Sequence, residues 1–80
     1  MELRSLTEFH AAVRAGRVIV ITDKATGIRA HRPHCSFVTD DNFTRKVIDG
    51  QGKNGSYFAE PDLDEALRLH QAKRCPRCKP

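Results

Sequence analysis

The sequence predicts a small α+β fold in which two helices flank an antiparallel sheet, as one domain covering residues 1–80. Helix signals stand near both ends of the chain, and β-branched and aromatic residues cluster between them. The 80 residues fall short of the roughly 100–200 of a typical domain, so we expect no second domain. The predicted element order is α-β-β-β-β-α.

The first helix is predicted over residues 5–15. Ser5 can cap its start, and Glu8 three residues later completes a capping box. Apolar residues recur at helical spacing as far as Val13, and Gly16 supplies a stop signal.

Four short strands are predicted between the helices. The clearest is the β-branched run that begins at Val18, and Val47 with Ile48 indicates another. The predicted strands cover residues 18–21, 28–30, 45–49 and 56–59. Glycines between Gly50 and Gly55 indicate a flexible loop or hairpin end.

The second helix is predicted to begin at Asp62 and to end near Lys73. Asp62 can cap it, with Glu65 at the third position of a second capping box. One face of this helix carries Leu63, Ala66, Leu67 and His70. That face is expected to pack on the sheet.

The composition predicts a chain that needs an additional source of stability. It has no Trp, one Tyr and four Phe, so its core must be small. Its three cysteines are an odd number, which argues against a disulfide framework. Neither a signal-peptide pattern nor a long apolar run is present, so we expect a cytoplasmic protein without membrane contact.

Two half-sites, residues 31–35 and 75–78, suggest that a metal stabilises the fold. Cys75 and Cys78 form a Cys-x-x-Cys turn, which places two thiolates within chelating reach of zinc. Cys35 and His31 are four residues apart and would supply the other two ligands. His34 and His70 remain alternatives for the histidine ligand. The sequence therefore predicts one structural zinc site that closes a long loop.

Several of these segments, taken in order, resemble one DNA-repair domain. The matching segments are Thr26-Gly27-Ile28, His31-Arg32-Pro33-His34-Cys35, Tyr57-Phe58-Ala59, Glu65-Ala66 and Cys75-Pro76-Arg77-Cys78-Lys79-Pro80. This pattern is similar to the N-terminal zinc module of the Ada-type methylphosphotriester repair proteins. The resemblance implies a small α/β zinc domain with ligands at positions 31, 35, 75 and 78. It also implies that Thr26 and Arg77 lie on a DNA-facing surface.

One departure from that family changes the expected activity. The family's first ligand is a cysteine thiolate that accepts a methyl group from DNA, whereas this chain has His31 there. A metal-bound imidazole has no free lone pair for that reaction, so we expect a non-catalytic module. Residual alkyl transfer through Cys35 is the weaker alternative. No other catalytic constellation is evident, and no catalytic residue is assigned.

The charge distribution suggests the class of partner. The formal net charge is +4, and basic residues flank both half-sites. The residues expected to contact DNA phosphates are Thr26, Arg32, Lys73, Arg74, Arg77 and Lys79. Such contacts position a protein on DNA without reading its sequence. The alternative is an adaptor that zinc stabilises and whose basic face binds an acidic protein.

Overall fold

A five-stranded sheet with helices on both faces forms the fold, and the computed structural model describes residues 1–80. The elements are β1 (Glu2–Leu3), α1 (Leu6–Arg14), β2 (Val18–Asp23), β3 (Gly27–His31), α2 (Asp40–Phe43), a π-helical segment (Thr44–Asp49), β4 (Tyr57–Glu60), α3 (Leu63–His70) and β5 (Lys73–Arg74). The predicted α+β class is confirmed. None of the helices combines the length and apolar character needed to cross a membrane.

The strands lie in the order β1-β4-β2-β3-β5, and the sheet is mixed. Its first three pairings are antiparallel, as predicted, but β5 pairs with β3 in parallel. The reason is that α3 crosses the sheet between β4 and β5, so both strands run in the same direction. This crossover brings the chain beyond β4 to the free edge of β3.

Both predicted helix starts are confirmed. The Ser5 side chain accepts a hydrogen bond from the Glu8 N–H at 3.2 Å, and Asp62 accepts one from the Glu65 N–H at 2.8 Å. The second helix ends at His70, earlier than predicted. Gln71 adopts a left-handed conformation with φ of 51°, which stops the helix and directs the chain into β5.

The strand predicted over residues 45–49 is wrong, because this stretch continues α2 as a π-helical segment. The Thr39 side chain caps α2 by accepting from the Asn42 N–H at 3.1 Å. Phe43 and Val47, four residues apart, both pack on the same core cluster. That helical spacing outweighs the strand preference of the β-branched pair formed by Val47 and Ile48.

Two apolar clusters lie on opposite faces of the sheet. The larger one, under α1 and α2, consists of Leu3, Phe9, Ala12, Ile19, Phe43, Tyr57 and Ala59. The smaller one, under α3, consists of Val20, Ala30 and Ala66. Half-buried Leu63 and Leu67 pack against the smaller cluster, as the predicted apolar face of this helix requires.

Candidate metal centre

Four side chains from the two half-sites meet at one end of the sheet. The ligand atoms of His31, Cys35, Cys75 and Cys78 all lie within 4.8 Å of one another. The Sγ atoms of Cys35 and Cys75 are 3.9 Å apart. Thiolates bound at ~2.3 Å to one tetrahedral zinc would lie roughly 3.8 Å apart, so the observed separation fits a shared ion. The group can therefore hold a metal ion.

The pairing of β3 with β5 brings the half-sites together. His31 is the last residue of β3, and Cys75 directly follows β5. The Cys75 N–H donates to the Ala30 carbonyl at 3.0 Å, which fixes the second half-site against the first. Cys35 and Cys75, forty positions apart in sequence, become neighbours because α3 returns the chain to this edge.

Backbone N–H groups point at two of the sulfur atoms. The Arg32 N–H donates to Cys78 Sγ at 3.2 Å, and the Arg77 N–H donates to Cys75 Sγ at 3.4 Å. Such hydrogen bonds stabilise negative charge on sulfur, which is the form that binds a metal. Each half-site thus supplies one N–H donor to a sulfur of the second half-site, and the Arg32 bond joins the two half-sites.

His31 presents an unpaired nitrogen inside the protein. The residue is only 4 % exposed, and its buried Nδ1 has no hydrogen-bond partner. A buried polar atom without a partner is costly in a folded protein, and a metal ion would satisfy it. Burial, aided by the charge of Arg29, lowers the pKa of His31 to about 4. The imidazole is therefore neutral at pH 7, as a metal ligand must be.

The thiol pKa values shift in opposite directions. Burial disfavours the Cys75 thiolate, but N–H donors and neighbouring thiols outweigh it and lower the pKa of Cys75. Burial raises the pKa of Cys78 to about 11, and charge on Cys35 adds to this effect. The three sulfurs cannot all ionise side by side without a cation to offset their charges.

The other histidines lie away from this cluster. His70 contacts Glu60 Oε2 at 2.7 Å through Nε2, and its ring lies 4.6 Å from that of Phe58. His10 pairs with Asp40 at 3.0 Å. His34 is exposed and is not one of the four clustered side chains. Of the candidate histidines, only His31 is grouped with the cysteines.

Two of the predicted DNA-contacting residues, although exposed, have partners within the protein. Arg32 donates to the carbonyls of Cys78 and Lys79 at 3.0 and 3.1 Å. Arg77 donates to Ser36 Oγ at 3.2 Å, and its guanidinium lies over the Phe37 ring, 5.1 Å from the centroid. Both arginines therefore hold the two half-sites together.

The remaining predicted contact residues divide into two groups. Lys73, Arg74 and Lys79 are exposed next to the metal cluster, and no side-chain hydrogen bond or ion pair engages them. Thr26 is also exposed, but it precedes β3 and lies roughly 16 Å along that strand from His31. The exposed cations beside the metal site that have no partner within the protein are thus the three from the C-terminal segment.

Phe37 is a site residue that the sequence did not single out. Its ring packs against that of His31 with centroids 6.0 Å apart, while Arg77 lies over it. It shields one side of the candidate ligand, yet 42 % of its surface remains exposed. Nothing in its spacing distinguishes it from an ordinary loop aromatic, so only the folded chain reveals the contact.

Comparison of this chain with protein-family models, with curated proteins and with solved structures finds no match. The similarity to the methylphosphotriester repair domain therefore rests on the motif residues alone.

Proposed function

We propose that this chain is a non-catalytic zinc-binding module that contacts DNA phosphates through basic residues beside the metal. The clustering of one imidazole and three thiols within 4.8 Å carries this proposal. Thiolate and imidazole ligands suit zinc, and four protein ligands leave no open coordination position for catalysis. In this role zinc holds β3, the loop after it and the C-terminal segment together.

Burial of the thiols supports a structural role over alkyl transfer. Cys35 is 5 % exposed and Cys75 is fully buried. A nucleophile must approach a phosphotriester methyl group in line, and these sulfurs lie beneath neighbouring side chains. Cys78 is half-buried but accepts the N–H of Arg32. Intact mass after incubation with methylphosphotriester DNA is expected to show no added methyl.

The exposed cations support the DNA part of the proposal. Lys73, Arg74 and Lys79 have no carboxylate partner within salt-bridge distance, so their charges are available to an external anion. Two of them project from the short edge strand β5, and Lys79 directly follows the turn after that strand. Cations of this kind attract the DNA backbone independently of sequence, with an affinity that falls steeply as salt rises.

Fluorescence anisotropy with a short labelled duplex tests this proposal. The zinc-loaded protein is expected to bind, and the triple variant Lys73→Gln/Arg74→Gln/Lys79→Gln should lose most of its affinity. The slope of log affinity against log salt should shrink by ~0.9 for each phosphate contact removed. Arg32 and Arg77 are left intact because they stabilise the metal site.

A matched variant separates a defined surface from overall charge. Arg14→Gln/Arg17→Gln/Arg68→Gln also removes three exposed positive charges, but none lies in the C-terminal segment. It should retain binding within about twofold. Equal losses of duplex affinity in both triple variants would mean that binding depends on net charge and not on a defined surface. Absence of duplex binding at low salt would reject the DNA proposal, and the same surface would then suit an acidic protein segment.

A further inference from the structure

A polar cavity of about 490 Å³ lies beside the metal cluster, a size typical of ligand sites. It opens between the β2–β3 hairpin and the π-helical segment. In the pairing of β2 with β3, Ile21 lies opposite Arg29 and Ile19 lies opposite His31. Successive side chains of a strand alternate between its two faces, so Arg29 and His31 lie on the same face of the sheet. His31 lines the cavity and the three cysteines do not. The cavity therefore borders the metal site through its neutral ligand.

Three basic side chains line this cavity, and two of them are free to bind an anion. Lys46 is engaged, because its Nζ donates to the Thr22 carbonyl at 3.2 Å and pairs with Asp23. Arg29 makes no side-chain hydrogen bond or ion pair. Arg45 contacts only the neutral Asn42 amide oxygen, at 3.2 Å. Two guanidinium groups without carboxylate partners thus line one cavity that is open to solvent.

The π-helical segment beside the cavity supports a functional role for the cavity. Asn42, Arg45 and Lys46 lie three and four residues apart and all line it, while Phe43 and Val47 pack into the core on the other side. The π-helical segment begins at Thr44 and so includes both basic residues. Segments of this kind are rare and occur frequently at functional sites.

Two aromatic residues also line the cavity. Phe37 is 42 % exposed, although Arg77 lies over its ring from outside the cavity, and Tyr57 is buried. Phosphate alone requires only the cations, whereas a base requires a flat apolar surface. The geometry points to a site for a nucleoside 5′-monophosphate unit, with its phosphate held by Arg29 and Arg45 and its base against Phe37. This goes beyond contact with the duplex backbone.

Calorimetric titration of the zinc-loaded chain with 2′-deoxyadenosine 5′-monophosphate tests the site. Inorganic phosphate and deoxyadenosine should each bind at least about tenfold more weakly than the nucleotide, because each makes only part of the contacts. Arg29→Gln and Arg45→Gln should each weaken nucleotide binding about tenfold or more, as expected for a lost charged hydrogen bond. Arg17→Gln, at the other end of β2, is the matched control and should bind as the unmodified chain does.

Phe37→Leu probes the base wall separately. It should weaken binding of the nucleotide while leaving that of inorganic phosphate unchanged. Zinc content and thermal unfolding of each variant show whether it is folded. Phosphate binding as tight as nucleotide binding, or folded Arg29 and Arg45 variants with unchanged affinity, would overturn the proposal.

Competition identifies the source of the nucleotide. A 5′-phosphorylated single-stranded oligonucleotide should displace the mononucleotide if the site accepts a strand end, and should leave it bound if the site accepts free nucleotide only. The triple variant at Lys73, Arg74 and Lys79 should still bind the mononucleotide. The proposed duplex contact and the proposed nucleotide site can therefore be rejected independently of each other.

Discussion

The two faces of the sheet are stabilised in different ways. Under α1 and α2, the rings of Phe9, Phe43 and Tyr57 contact one another with centroids 4.7 to 5.9 Å apart. These rings belong to a cluster of seven buried residues, whereas the cluster under α3 has three. Buried aromatic area contributes most to an apolar core, so the face of α3 obtains much less stabilisation from packing.

The metal cluster joins the end of the crossover that contains α3 to the end of β3. The helix α3 leads into β5 and then Cys75, so a metal that joins Cys75 and Cys78 to His31 fixes the end of this crossover. The difference between the faces indicates a division of roles. Packing holds α1 and α2 on the sheet, and a metal ion bound by the cluster would hold the α3–β5 unit.

Removing zinc is expected to have the largest effect and to act unequally on the two faces. Structural zinc contributes ~10–16 kcal/mol of apparent binding free energy at neutral pH. This matches the ~5–15 kcal/mol stability of a whole domain, so chelation should unfold most of the chain. Hydrogen exchange during chelation should show amide protection disappearing first in α3 and β5. Excess zinc should restore it, and simultaneous loss over both faces would contradict the division of roles.

Truncating the aromatic cluster should have the next largest effect. Phe43 is fully buried, so Phe43→Ala should lower the free energy of unfolding of the zinc-loaded protein by about 3–5 kcal/mol. The matched change on the other face is Leu67→Ala, at a half-buried position, and should cost about 1 kcal/mol. Urea denaturation gives both values. Equal costs would mean that packing is as important under α3 as under α1.

Removing the histidine ligand tests the metal site directly. His31→Ala leaves three thiols and should lower zinc affinity by more than the ~10–100-fold typical of losing an indirect supporting group. His34→Ala is the control, since His34 is exposed and outside the cluster. Competition with a chromophoric chelator measures both. A loss of zinc affinity in the His34 variant alone would mean that His31 is not the fourth ligand.

Local signals in the sequence account for the helices and for the metal cluster. The N-cap residues Ser5 and Asp62 set the helix starts because their side chains satisfy backbone donors within one turn. The metal-ligand spacing carries similar information, since the Cys75–Cys78 turn is a complete chelate by itself. The sequence left His31, His34 and His70 as alternatives, and only the fold shows which one lies beside the cysteines.

Features that depend on distant contacts could not be predicted in this way. The segment around Val47 has strand-forming residues, but its conformation is decided by contact with the core cluster. The parallel pairing of β5 depends on where α3 returns the chain, and β5 has only two residues to signal a strand. The cavity combines Arg29 with Arg45, which approach each other only when the π-helical segment packs on the sheet.

The pair formed by Glu60 and His70 provides the smallest and most local test of the α3 face. Glu60 Oε2 lies 2.7 Å from His70 Nε2 and 3.2 Å from the terminal ammonium of Met1. Burial opposes ionisation of Glu60, but these two partners outweigh it and lower the pKa of the carboxyl below its ordinary value. The carboxylate is therefore favoured by folding and links β4 to the end of α3.

Glu60→Gln should lower the free energy of unfolding at pH 7 by about 1.5 kcal/mol, as for a charged hydrogen bond. Because the pKa of Glu60 is lower in the folded state, its stabilising contribution is present above the unfolded pKa, ordinarily 4.5, and is lost as pH falls through the folded value. The difference between the two proteins should thus shrink as the pH falls below about 4.5. Urea denaturation of both proteins with excess zinc measures it, and the acid sensitivity that they share cancels in the difference. A difference that still grew below about pH 4.5 would mean that the folded pKa is raised, and the polar link between β4 and α3 would have to be rejected.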